Sequence, residues 1–294
     1  MATKAYAQVY SLIRQDRTPE LLYNALAKFS AMGYDGIEGI GPNSAGLSIP
    51  DFKKYLADLN LDMVSVMNLS KPEELEFGAA VGARYTVAGF SPKNLTRDEV
   101  LRACDAVNAF SRQVKEAGLF NLIHNHAHEF GAIEGEPESD VTPYDLIVQN
   151  TDPELVGFEL DVGWVQFAGA NPVDIINKYP GRFRIIHVKE CNRIARDAEE
   201  REHFPRKVLE LGPPTFINGA PKFKPEQEKI MYESRNFNVE LGNGLIDWAS
   251  LAAAAKAQFD PMYFVSEREY YHCYGSDGNE EICAQKDCDF IHSL

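Results

Sequence analysis

An alternation constrains this chain more than any other feature. Eight short runs rich in β-branched and aromatic residues recur along it, at 6–10, 36–40, 63–68, 85–90, 121–126, 157–162, 184–189 and 263–267. Longer stretches with helical punctuation lie between most of them. Thr18-Pro19-Glu20 opens a helix running to about Met32, where Gly33 stops it, and Ser48-Ile49-Pro50-Asp51 opens the next. Thr96-Arg97-Asp98-Glu99 starts a long helix ending at Gly118. Val141-Thr142-Pro143, Asn171-Pro172-Val173 and Gly244-Leu245-Ile246-Asp247 start three more, and a last helix covers roughly 279–293. A strand followed by a helix is the unit of a parallel sheet. Eight such units predict a closed (β/α)8 TIM barrel, class α/β, as one domain over residues 1–294.

One segment interrupts the rhythm. After the seventh run, residues 191–238 form an insertion, first highly charged (193–206) and then rich in proline and glycine (211–224). A long segment that follows the C-terminal end of a barrel strand belongs on the active-site face, as a lid or a subunit contact. The chain therefore leaves room for a homo-oligomer.

Charge and cysteine usage narrow the function. A net charge of −15 would repel a phosphate backbone, and no basic stripe overrides it, so nucleic acid is not an expected partner. The five cysteines (Cys104, Cys191, Cys273, Cys283, Cys288) are scattered and show no C-x-x-C spacing, which fits a reducing compartment. The first residues lack a signal-peptide pattern, and no apolar run approaches the ~20 residues of a membrane span. The expectation is a cytoplasmic protein with no membrane partner.

In a barrel, polar residues at the C-terminal ends of strands build the site. Leu122-Ile123-His124-Asn125-His126-Ala127-His128-Glu129-Phe130 places three of the seven histidines and a carboxylate at one strand end. Phe158-Glu159-Leu160-Asp161 ends in an aspartate, Ile186-His187-Val188-Lys189 carries a histidine and a lysine, and Val265-Ser266-Glu267 ends in a glutamate. Imidazole and carboxylate together suit a divalent ion such as Mn²⁺, Co²⁺, Mg²⁺ or Zn²⁺. A buried hydrogen-bonded carboxylate would explain Asp161 alone, and a structural histidine His187 alone. Matching positions on successive strands favour a shared ion.

These residues carry a resemblance. His124-Asn125-His126 with Glu129-Phe130, Glu159-Leu160-Asp161 with Trp164, Gly169-Ala170-Asn171-Pro172, Ile186-His187-Val188-Lys189, Glu240-Leu241-Gly242-Asn243-Gly244 and Val265-Ser266-Glu267 resemble the xylose isomerase-like barrel superfamily. Within it, the chain is most similar to the sugar phosphate isomerase/epimerase group. The resemblance implies one divalent ion, Mn²⁺ first among the choices, held by Glu129, Asp161, His187 and Glu267. Relatives carry their first ligand as a glutamate inside the fifth strand, so His126 is the alternative to Glu129. It also implies an enzyme that moves a proton next to the carbonyl of a small sugar or polyol, with Glu129 and Glu267 as the two acid–base groups of an isomerase or epimerase. If a β-oxygen leaves instead, the same site is a lyase or dehydratase acting on an inosose or 3-keto-glycoside, with His124 or His126 as the acid. Lys189 and Trp164 are the expected substrate-binding residues.

Other readings compete. A nuclease on this barrel would need three metal ions, more histidines and a basic face, which the composition opposes. A non-catalytic sugar-binding partner of an oxidoreductase would not need the intact ligand set. Arg268 reads as structural and Glu269 as a supporting partner, and the glycines of 240–244 read as turn formers rather than a phosphate loop.

Overall fold

The structure is a computed structural model that describes residues 3–9, 18–39, 46–67, 69, 72–88, 90, 92–202, 204–213, 215–217, 220–268 and 279–294. Eight parallel strands close into a barrel: β1 (Ala5–Gln8), β2 (Gly36–Glu38), β3 (Asp62–Met67), β4 (Tyr85–Val87), β5 (Phe120–His124), β6 (Val156–Asp161), β7 (Phe183–Val188) and β8 (Tyr263–Ser266). Closure is made at β1, where Tyr6 is in register with Gly36 of β2 on one side and Val265 of β8 on the other. The expected (β/α)8 barrel is the observed fold.

Each predicted run forms a strand, and the strands stop sooner than the runs. The fifth ends at His124, so His126 lies beyond it. Positions 10, 40, 68 and 89 of the predicted runs lie outside the described residues. Helices begin where the start signals stand. The side chains of Thr18 and Ser48 accept the backbone N–H groups of Leu21 and Asp51, and Thr142 forms a reciprocal capping pair with Asp145. Gly33 ends the first helix at φ 94°, the left-handed conformation that a side chain disfavours. Among the described residues outside the insertion, two α-helices carried no recognised start signal. Pro72–Ala80 has a proline at its first position, which could have marked it. Val162–Phe167 is buried on nearly every side, so it has no amphipathic stripe to read.

Strand alternation divides the core into layers. Ala5, Ala7, Phe158, Leu160, Ile186 and Phe264 face the surrounding helices. Tyr6, Val64, Tyr85, Leu122, Ile185, Tyr263 and Val265 fill the barrel interior. Tyr6 and Tyr85 each meet the ring of Tyr263 edge-on, at 5.3 and 5.9 Å between centroids. Gly36 must lack a side chain here, because a Cβ would fall 2.6 Å from the Tyr6 ring and 2.4 Å from the Asp62 carbonyl oxygen. With the interior plugged by these rings, the next inward-facing residues along the strands are polar and gather at the C-terminal mouth.

The insertion is folded and closed at its base by the pairing of Glu190–Cys191 with Asn238–Val239. Between them lie the helices Ala198–Arg201, Arg206–Glu210 and Pro225–Ser234 and the strand pair Thr215–Ile217 and Ala220–Lys222. Phe237 stacks on Phe167 at 3.8 Å between centroids, tying the end of the insertion to the helix after β6. Glu190 is fully buried and organises the return to the barrel. Its Oε1 accepts from the backbone N–H groups of Cys191 and Ile246, and its Oε2 from the Gly242 N–H and, at 2.6 Å, from the Trp248 indole. The glycine turn thus spends an N–H on a protein carboxylate, in keeping with turn formation. Among the described residues, no helix is long and apolar enough to cross a membrane; Cys104, Cys191 and Cys288 are free thiols, and all three are buried, as is Cys283. Replacing Glu190 with alanine leaves three buried donors, the Cys191 and Ile246 N–H groups and the Trp248 indole, without an acceptor, and the N–H of exposed Gly242 as well. We expect E190A to lose about 3 kcal/mol or more of stability in urea unfolding, whereas an equally stable variant would contradict the role given to Glu190.

Candidate metal centre and active site

Alternation along β6 turns Glu159 and Asp161 to the same side, inward, and the same parity turns His187 of β7 and Glu267 after β8 to meet them. His124 closes β5 beside Glu159, its register partner. Ligand-capable atoms of His124, Asp161, His187 and Glu267 all lie within 4.8 Å of one another. Backbone contacts set Asp161 in place. Its N–H donates to Asn125 Oδ1 at 3.0 Å, Asn125 Nδ2 donates back to its carbonyl oxygen at 3.2 Å, and its Oδ1 accepts the Trp164 N–H at 3.0 Å. Asp161 Oδ2 is thereby left facing the group. Glu267 Oε2 stands 3.2 Å from His187 Nδ1, while Gln8 Nε2 donates to Glu267 Oε1 at 3.2 Å.

A deeper pair of carboxylates supports this group. Glu38 Oε1 is 2.6 Å and Glu159 Oε1 3.0 Å from His187 Nε2, and Glu159 Oε1 is also 2.8 Å from His124 Nδ1. Ser65 Oγ donates to Glu38 Oε2 at 2.7 Å. Lys189 is the cation at the mouth, its Nζ 2.8 Å from both Asp161 Oδ2 and Glu267 Oε2. Glu38, Glu159, Asp161, His187 and Lys189 are buried and His124 and Glu267 are partly buried, so their charges act on one another at low dielectric. Burial and the charge of Glu159 push Glu38 up to about 7. Burial would discharge His187, yet Glu159 and Glu38 hold its pKa well above the ordinary value. For Glu267, burial is outweighed by Lys189 and His187, which keep its pKa well below the usual carboxylate range. Asp161 is raised by burial, against the pull of Lys189.

Among the described residues, four carboxylates and two imidazoles thus gather around one buried ammonium. Fixed positive charge is short of the negative charge present, and the donors are oxygen and imidazole nitrogen with no thiolate. That set fits a divalent cation of the Mn²⁺, Co²⁺ or Zn²⁺ type.

The structure brings together Asp161, His187 and Glu267 of the expected ligands and places His124 beside them. Glu129 does not join them. After Asn125 the chain turns into the short helix His128–Phe130, and Glu129 Oε2 accepts the His126 backbone N–H at 2.9 Å to hold that turn. Glu129 instead groups with His126 and His128, its Oε1 3.5 Å from His128 Nε2. The two groups are adjacent, since the His124 and His126 rings are 5.1 Å apart between centroids. Trp164 is 1% exposed, and its ring is met by His126, Lys189, Arg235 and Phe237, so it forms a wall of the site rather than an open stacking face. Arg268 pairs with buried Asp287. Glu269 and Tyr10 lie outside the described residues. Sequence reasoning passed over Glu38 and Glu159. Glu159 was legible, because a carboxylate two residues before Asp161 shares its face; Glu38 was hidden by a run read two residues past it.

No protein-family model matches the chain. Inosose dehydratase from Lacticaseibacillus casei is 26% identical over 110 residues, 37% of this chain and 35% of the relative, so the match spans about a third of that protein's length. Three solved structures share the fold over nearly the whole chain. A sugar phosphate isomerase/epimerase from Parabacteroides distasonis superposes with a TM-score of 0.70 at 19% identity, covering 100% of this chain and 95% of that one. IOLI protein with a bound zinc atom gives 0.65 at 14%, covering 99% and 98%. A fusion of a xylose isomerase-like TIM barrel with 4-hydroxyphenylpyruvate dioxygenase gives 0.61 at 14%, covering 97% of this chain and 41% of that one. These likenesses show a shared fold, the closed (β/α)8 barrel.

If the ion sits where these donors converge, D161N purified after dialysis against Mn²⁺ should lose the metal that the wild type keeps at about one per chain. E129Q should keep it. Plasma mass spectrometry reads both, and loss of metal in E129Q with retention in D161N would move the site to the His126 group.

Proposed function

We propose that this chain is a divalent-metal-dependent enzyme acting on a small keto sugar or keto polyol, and that its reaction begins with removal of a proton next to the carbonyl. The observation that carries the reading is the convergence of His124, Asp161, His187 and Glu267 at the C-terminal mouth of the barrel, with Lys189 between the two carboxylates. A bound divalent ion would supply polarisation of the substrate carbonyl, which acidifies the neighbouring C–H. Glu267 is the carboxylate base, held ionised by Lys189 and His187. Lys189 offers its ammonium to a substrate oxygen. Trp164 fixes the position of Lys189, its ring lying 5.1 Å from Nζ.

The end of the reaction depends on what stands across the site from Glu267. An epimerase needs a second acid–base group to return the proton from the other face, and the pair Glu129 and Glu267 was expected to supply it. Glu129 is occupied with the turn at His126, and His124 stands in the ligand group in its place. A histidine bound to metal has no free proton acceptor on that side. The geometry therefore favours elimination. Glu267 takes the C–H proton, the carbon–carbon double bond forms as the β-oxygen bond breaks, and His126 protonates the departing oxygen. The partial similarity to an inosose dehydratase supports the same ending. Isomerisation or epimerisation is the second reading, favoured by the whole-chain likeness to a sugar phosphate isomerase/epimerase.

Incubation of the Mn²⁺-loaded protein with a panel of inososes, 3-keto-glycosides and ketoses in D₂O separates them. Elimination releases water or aglycone and yields an unsaturated ketone absorbing in the near ultraviolet. Deuterium entering recovered substrate or its epimer, with nothing released, would establish the second reading. E267Q should lower kcat by roughly 10²-fold or more, and chelation should abolish turnover reversibly. Turnover unaffected by chelation would overturn the metal-dependent reading.

A further inference from the structure

We propose that His124 and His187 grip the ion through opposite ring nitrogens, Nε2 of His124 and Nδ1 of His187, and that the buried carboxylates of Glu159 and Glu38 are positioning residues that lock those two tautomers from beneath. The inference rests on the metal reading above and adds the device that orients its ligands.

The two nitrogens of each ring face different neighbours. His124 Nδ1 is 2.8 Å from Glu159 Oε1, and its Nε2 is the nitrogen toward Asp161 Oδ2, at 3.9 Å. His187 is turned the other way round. Its Nε2 is 2.6 Å from Glu38 Oε1 and 3.0 Å from Glu159 Oε1, and its Nδ1 is 3.2 Å from Glu267 Oε2. An ionised carboxylate only accepts, so the nitrogen against it carries the hydrogen. By the same rule His187 Nδ1, 3.2 Å from Glu267 Oε2, carries a hydrogen until an ion held by Asp161 and Glu267 displaces it, and each neutral imidazole then has its lone pair on the nitrogen opposite its supporting carboxylate. For both rings that opposite nitrogen faces the group made with Asp161 and Glu267. His124 on β5 and His187 on β7 stand on either side of β6 with their rings at 68° to each other, and opposite tautomers let both aim at one point.

The supporting carboxylates are themselves held. Glu38 and Glu159 are fully buried on β2 and β6, so neither can swing to solvent. Ser65 Oγ donates to the second oxygen of Glu38 at 2.7 Å, leaving Oε1 for His187. Glu159 Oε1 serves both rings, and its Oε2 has no hydrogen-bond partner among the described residues. One oxygen therefore couples the orientation of the two histidines. His124 depends on it more, because Nδ1–H is the minority tautomer of a free imidazole, whereas Nε2–H of His187 is the ordinary one. Carboxylates that orient metal-bound histidines typically contribute 10- to 100-fold to metal affinity. A rival placement exists, since Glu38, Glu159 and His187 could themselves surround an ion. In that case His187 would carry its hydrogen on Nδ1.

Long-range ¹H–¹⁵N correlation on histidine-labelled, Zn²⁺-loaded protein distinguishes these states. The expected spectrum shows two zinc-bound histidines of opposite tautomer, protonated on Nδ1 at His124 and on Nε2 at His187. Identical tautomers, or Nδ1–H at His187, would overturn the proposal. Co²⁺ titration followed by visible absorption supplies a second test, with E159Q and E38Q expected to raise Kd by about 10- to 100-fold at unchanged stoichiometry and S65A by less. Folded variants that bind Co²⁺ as tightly as the wild type would overturn it while leaving the metal reading intact. A wild type that takes up neither Zn²⁺ nor Co²⁺ would remove both. If a glutamine variant fails to fold, the wild-type spectrum still decides.

Discussion

A surplus of buried negative charge governs this structure. Glu38, Glu159, Asp161 and Glu267 are drawn to one end of the barrel, where Lys189 is the ammonium that meets them. Burying a charge is costly unless it is paired and hydrogen-bonded, and unbalanced carboxylates at low dielectric would favour protonation or opening of the site. The barrel holds them together because they project from parallel strands, Glu38 from β2, Glu159 and Asp161 from β6 and Glu267 from the end of β8, whose backbones are fixed by neighbours on both sides. The tyrosines and aliphatic residues below plug the interior, so the charged groups cannot retreat from one another. A divalent cation would balance such an arrangement, and the imidazoles of His124 and His187 would complete its donors.

The same constraint explains how much of the site was legible in the sequence. The barrel followed from eight strand–helix units, and strand ends pointed to Asp161, His187 and Glu267, which the structure gathers into one group. Parity was enough there, since residues two apart on a strand share a face. Parity ends where the strand ends. β5 stops at His124, and beyond it Asn125 braces the Asp161 backbone while Glu129 caps the following turn, so spacing could not say whether His124, His126 or Glu129 would face the ion. Glu38 lay inside a run read as 36–40, and a residue inside a run carries no mark of standing at its end. Helix 162–167 was hidden for another reason, because burial on nearly every side erases the periodic signal.

Chemistry and scaffold meet at the helix after β6. Asp161 caps that helix through Oδ1 and turns Oδ2 toward the group. Trp164, one turn on, walls the site against Lys189 and His126. Phe167 receives Phe237 from the end of the insertion, so the end of residues 191–238 is anchored to the helix that Asp161 caps. Movement of the insertion would therefore be felt at the wall of the site.

The account turns on where the ion sits. A crystal structure of Co²⁺-soaked protein, with anomalous diffraction recorded on both sides of the cobalt edge, locates it directly. The account predicts one strong peak within bonding distance of His124 Nε2, Asp161 Oδ2, His187 Nδ1 and a Glu267 oxygen. A peak among His126, His128 and Glu129, or one between Glu38 and Glu159 with none above it, would contradict it.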